Sequence, residues 1–201
     1  MAENKIKYGI KSCYYCIATI AADGSATYSE TVKPLPGAVS IALDPQGERT
    51  PFYADNIEYW VGGWNNGYEG DLTLARVPDD FHSDILGDIV DGKGLLVEDA
   101  KAEAVHFALM FQFEGDQKAT RHVLYNCTAS RTSINGNTKE DTVTPETEAI
   151  TITAKAVYNA TLDTDIVKAK TTESTDTTAY NAWFTAVQQP TAVQQPTATT
   201  P

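Results

Sequence analysis

Residues 104–127 read AVHFALMFQFEGDQKATRHVLYNC. Val105, Phe107, Leu109, Phe111 and Phe113 fall on one face of an extended chain, and Ala104, His106, Ala108, Met110 and Gln112 on the other. The polar run EGDQK then supplies a turn. ATRHVLYNC resumes the alternation, with Val123, Tyr125 and Cys127 on one side. This pattern predicts a long antiparallel hairpin and a fold in which strands dominate.

Working outward, KIKYGIK, CYYCIATI, AVSIALD, NIEYWV, GDLTLARV and EAITITAKAV are further strand candidates, rich in the Thr, Val, Ile and Tyr that pleated surfaces favour. Two stretches carry helical spacing instead. After Pro78, DDFHSDILGDI places Phe81, Ile85 and Ile89 on one stripe, with Asp79, Asp80 and Asp84 near the positive end of the dipole and Gly87 as an early stop. STDTTAYNAWFTAV sets Tyr180, Trp183, Phe184 and Val187 on one face, with Ser174 or Asp176 as N-cap. The expected fold is therefore β-rich α+β: two packed β-sheets, a flanking helix and a second short C-terminal helix. Residues 130–146 form a long polar connection. One domain is expected over 1–187, followed by a low-complexity, disordered tail at 188–201 that repeats TAVQQP.

The 201 residues, 42% of them hydrophobic, suffice for one substantial core. No run approaches a membrane span, and MAENKIKYGI carries charges where a secretion signal needs apolar residues, so a soluble protein without a membrane anchor is expected. A net charge of -12 disfavours binding to a phosphate backbone. The charge is uneven: between positions 44 and 91 eleven acids face only Arg49 and Arg76. One strongly negative face or loop system is expected, serving either solubility or a field directed at something. The three cysteines do not suggest a secreted disulfide framework. On a strand, Cys13 and Cys16 point to opposite faces, as core thiols do.

The stretch FYADNIEYWVGGWNNGYEGDL, residues 52–72, combines acids with aromatic platforms. Glu58, Glu69 and Asp71 beside Tyr59, Trp60, Trp64 and Tyr68 have the composition of a sugar-cleaving cleft. Yet Glu58 and Trp60 share one face of NIEYWV and Ile57, Tyr59 and Val61 the other, the pattern of a half-buried strand. His82, His106 and His122 lack metal-site spacing, and neither a phosphate-cradling loop nor a nucleophile elbow is present. No enzyme activity, cofactor or metal is expected. Gly62-Gly63 and Asn65-Asn66-Gly67 predict a permissive turn flanked by aromatics, which form either a contact surface or sheet core.

Four runs carry a resemblance: PGAVSIALDPQGERTPFYADN, NNGYEGDLTLARVPDDF, FALMFQFEGDQKATRHVLYNCTASR and YNAWFTAV. In order and spacing, from Lys5 to Val187, they resemble the major tail proteins of long-tailed bacteriophages and prophages with non-contractile tails. The resemblance implies a structural virion protein, made in the host cytoplasm, that closes hexameric rings. The rings stack into a tube, an acidic-lined conduit for genome ejection. Partners would be other copies of the chain, a tape-measure protein and tail-tip and terminator proteins, while DNA passes the lumen without specific binding. Subunit-contact loops would include Phe52, Tyr53, Asp55, Asn56, Trp64, Asn65, Asn66, Tyr68, Asn135, Asn137 and Lys139. Lumen or interface acids would come from Glu48, Asp55, Glu58, Glu69 and Asp71. The alternative is a carbohydrate- or cell-surface-binding β-sandwich module.

Overall fold

Strands β10 (Phe107–Gly115) and β11 (Thr120–Ala129) form the hairpin the alternation predicts, and it lies at the centre of the fold. A computed structural model describes residues 4–138 and 145–192, with every side chain but that of Arg49. In chain order the other strands are β1 (Lys7–Ile20), β2 (Ala26–Tyr28), β3 (Lys33–Pro34), β4 (Ala38–Gln46), β5 (Arg49–Ala54), β6 (Ile57–Gly63), β7 (Gly67–Leu74), β8 (Ile89–Val90), β9 (Leu96–Val97), β12 (Glu148–Lys155), β13 (Val157–Asn159), β14 (Thr164–Ile166) and β15 (Lys168–Lys170). Helix α1 (Asp79–Phe81) runs on into a π-helical turn, His82–Leu86, and α2 (Thr177–Asn181) follows the last strand.

The main antiparallel sheet has the order β2-β1-β10-β11-β12-β7-β4. It forks at β11, where residues 126–129 pair with β12 and residues 122–124 pair with β15. The two expected sheets are thus two halves of one continuous sheet, and they face each other across the inner core. Phe107, Leu109, Phe111, Leu124, Leu72, Leu74, Ile150 and Ile152 fill that core. The opposite face of β1, β10 and β11 is buried too: Cys16, Ala108, Met110, Val123 and Tyr125 lie under Val157 and Trp183. Simple alternation fails at one point. Phe107 pairs with Cys127 but Leu109 with Leu124, so a bulge in β11 turns Cys127 to the inner core, away from Val123 and Tyr125. Cys13 and Cys16 do point into different cores, and all three thiols are free and buried.

Both helical segments are shorter than their spacing predicts. The first ends at Gly87, which takes a left-handed conformation (φ 80°). Its extra residue per turn brings Leu86 into the core beside Phe81 and Ile85. Ile89 leaves the expected stripe and sits exposed on β8. Phe81 meets Tyr15 and Phe107 edge-on at 5.1 and 5.6 Å, while Asp84 accepts hydrogen bonds from Tyr15 Oη (2.8 Å) and Lys33 Nζ (2.6 Å). The turn thereby plugs one end of the inner core.

Helix α2 is capped by Asp176, whose carboxylate accepts from the Thr178 and Ala179 amides. It lies over the outer core: Trp183 Nε1 donates to the His122 carbonyl at 3.3 Å, and the Arg121 guanidinium stacks 3.9 Å from the Tyr180 ring centre. Tyr125 Oη donates to the Gln188 carbonyl at 2.9 Å, so the chain is still fastened just past Val187. The first TAVQQP copy, 185–190, is described, whereas residues 193–201, with most of the second copy, lie outside the described residues.

Phe81→Ala should remove the plug's anchor and destabilise the fold by about 3–5 kcal/mol, readable as a lower urea midpoint at unchanged m-value.

Candidate functional site

Residues 47–66 form a two-stranded arm, in which only NIEYWV is an expected strand. Strands β5 and β6 pair with each other and with no other described strand, continuing the β4–β7 hairpin past the edge of the main sheet. The reversal is at Asp55-Asn56, both left-handed (φ 51° and 62°), as a two-residue hairpin turn demands. It is not at Asn65-Asn66-Gly67. Those residues make the joint between arm and sheet: Asn66 N donates to the Gln46 carbonyl (2.9 Å) and Gly67 N to Asn65 Oδ1 (3.0 Å). Two glycines permit that joint. Gly47 (φ 137°) and Gly67 (φ 94°) each have a carbonyl, of Trp64 and Ala154 respectively, where a Cβ would sit.

The arm is not half-buried. Phe52, Tyr53, Ile57, Tyr59, Trp60 and Trp64 each keep more than half of their surface in solvent, Trp64 as much as 71%. Tyr59 is an extra residue opposite the Phe52–Tyr53 step, so Glu58 pairs with Tyr53 and Trp60 with Phe52, which breaks the expected sharing of a face by Glu58 and Trp60. The Trp60 indole folds across Gly62, the reason a side chain there would clash. Pro51 sits within β5, and RTPFYA is not among the expected strands.

The acids divide among several places rather than one. Glu48, Asp55 and Glu58 belong to the arm and its joint. Asp79, Asp84 and Asp88 are engaged near the plug by Arg76, Lys33 and His82. Asp44, Glu69 and Asp71 share the solvent face of β4 and β7, where Asp44 stands directly opposite Glu69. Asp71 accepts from Thr151 Oγ1 at 2.8 Å. Asp44, absent from the expected acids, completes this strip, which only the strand register reveals. Asn135 and Asn137 are exposed, Asn137 Nδ2 donating to Glu146 at 2.6 Å. Neither is brought near the arm by any described contact, and Lys139 lies outside the described residues.

A cleft of about 340 Å³ opens at the arm's root, where β11 forks. Ile41, Leu43, Asp44 and Tyr68 form one wall, and Phe111, Phe113, His122, Leu124, Lys7 and Lys168 the other. His122 stacks on Phe111 (5.2 Å) and meets Phe113 edge-on (5.5 Å). Lys7 Nζ lies 4.7 Å from the Phe113 ring centre and Lys168 Nζ 4.1 Å from that of Tyr68. Burial, then the charges of Lys170, Lys7 and Lys168, lower the His122 pKa to about 4. Tyr68, half-buried against the core, thus belongs to the cleft more than to the arm. The described residues contain no cluster of three or more His, Cys, Asp or Glu able to hold a metal ion.

Comparison of the chain with models of known families and with curated proteins finds no match.

His122 is depressed from 6.5 to about 4 on folding, so the unfolded state binds the proton first. The stability it supports is complete above pH 6.5 and falls as pH drops towards 4, by at most about 1.4 kcal/mol per unit. Urea titrations across that window should show a shallower slope for His122→Gln. In Lys170→Gln the imidazole should titrate higher by NMR, though still below 6.5.

Proposed function

We propose that this chain is a structural subunit that self-assembles into a tube of the phage-tail kind. The observation that carries this reading is the arm: a two-stranded hairpin, fastened only at its root, with six large apolar side chains in water. Burying apolar surface is worth roughly 25 cal/mol per Å², and exposed apolar patches of such extent are the mark of an interaction surface.

Two further features support the reading. Strand β4 ends the main sheet and has no hydrogen-bonded neighbour on its outer edge among the described residues. β1 lies close to part of this strand, and the remaining edge would favour strand pairing with another chain. The strip of Asp44, Glu69 and Asp71, set among Ala42, Thr73, Thr151 and Thr153, would make an acidic wall along which DNA slides without adhering. In this reading catalysis has no part, and the arm, the free edge and the strip are the working surfaces. Tape-measure and tail-tip proteins would supply the template and starting ring.

Phe52→Ser combined with Trp60→Ser tests this. Both side chains are exposed, so monomer stability should change by less than about 0.5 kcal/mol for each substitution. Tubes or rings seen by negative-stain electron microscopy of the wild type at high concentration should vanish, with light scattering falling to the monomer value. Exposed Trp60 and Trp64 are also a sugar platform. A saturable change of tryptophan fluorescence with glycans, in a wild type that never associates, would replace this reading with a carbohydrate-binding module.

A further inference from the structure

The cleft at the arm's root has a chemistry unlike the rest of this acidic protein. Lys7 and Lys168 rest on aromatic rings, and among the described residues neither has a carboxylate within 4 Å. Asp44 is the one acid in its lining. Lys170, paired across from His122, adds a third positive charge nearby. An ammonium over a ring face is held weakly, at about 0.5–1 kcal/mol where exposed, and remains available to an arriving carboxylate.

We propose that this cleft receives the arm tip of a second copy of the chain, with Asp55 of the incoming turn between Lys7 and Lys168 and Phe52 or Tyr53 against Tyr68 and Phe113. The inference rests on the self-assembly reading and names the receptor that reading lacks. Charge decides the occupant. The tip pairs a carboxylate with large aromatics, and the cleft pairs ammonium groups with aromatics and open volume.

Geometry decides that the donor is another molecule. Asp44 and Tyr68, in the cleft wall, immediately flank the joint at Gln46 and Gly67. From there β5 and β6 carry the tip about 20 Å away, at roughly 3.3 Å per residue. An arm paired along its length cannot bend back into the cleft at its own root. Each copy therefore gives at its tip and receives at its root. Made head to tail, such a contact is heterologous and propagates into a closed ring or an open filament; made reciprocally by two copies, it would close a dimer.

The test uses the full chain with single cysteines introduced at the tip and at the root. The native thiols are buried, and the Cys13 pKa is pushed up to about 12, so they compete little. Ala54→Cys, beside the tip turn, mixed with Ala42→Cys, in the cleft lining, leaves Asp55, Lys7 and Lys168 in place and should give a disulfide-linked pair under mild oxidation. It should form about tenfold faster than Ala54→Cys mixed with Ile134→Cys, because docking raises the local thiol concentration. Ile134 is fully exposed and away from the cleft lining. In parallel, Lys7→Glu with Lys168→Glu should abolish assembly, and mixing with Asp55→Lys should restore it. Equal cross-linking rates, with wild-type tubes still forming, would overturn this receptor and leave the assembly reading standing. A wild type that stays monomeric at all concentrations overturns both.

Discussion

The fold depends on burying the β10–β11 hairpin on both faces. Phe107, Leu109 and Phe111 face one core and Ala108 and Met110 the other. A strand in that position cannot rely on water to satisfy its backbone, so β1 and β12 must pair on either side. It also needs a cover for each face. The plug with Phe81 supplies one, and α2 with Trp183 and the β13–β14 hairpin the other. Neither helical segment is long enough to be stable alone. Each persists because its side chains complete a core that already has a sheet for a floor.

Against that background the arm is the anomaly. Its strands have the same composition as buried ones, with aromatic and β-branched residues in quantity, yet their side chains have nothing to pack on. A two-stranded ribbon without a third element is marginal in water. Its persistence as a paired hairpin rests on the Asp55-Asn56 turn and on the glycine joint that lets the β4–β7 pair continue outward. A ribbon of this kind spends most of its apolar potential outside the molecule. That separates a building block from a binding pocket, whose apolar lining is concave and already half satisfied.

Much of the sheet was legible because period-two alternation survives wherever one face is buried. The hairpin at 104–127, the strand at 148–155 and the capping by Asp176 all follow from local pattern. What failed were features set by one extra residue. The bulge near Cys127, the π-turn that exchanges Ile89 for Leu86 and the bulge at Tyr59 each shift the faces without changing composition. The arm was legible as a surface but not as a hairpin, because Pro51 interrupts the signal and Asp-Asn is a weaker turn marker than Asn-Gly. The cleft was invisible: Lys7, Tyr68, His122 and Lys168 come together only through the fork at β11.

Separating tip from root also bears on how monomers stay apart. The tip, with Asp55 and Glu58, approaches a cleft whose ammonium groups are flanked by Asp44 and by the Glu69 and Asp71 strip on the same strands. The two copies repel, since each carries -12. Beyond roughly a Debye length, about 8 Å at physiological salt, that repulsion is largely screened, and inside it the proposed contact of Asp55 with Lys7 and Lys168 would oppose it. In the proposed assembly this balance would, at low concentration, favour growth from a starting ring that presents several arms at once, and high concentration would lift the barrier to spontaneous nucleation. In the proposed assembly net charge and local charge would thus do different work on the same surface: one keeping free copies dispersed, the other selecting the register in which tip meets root.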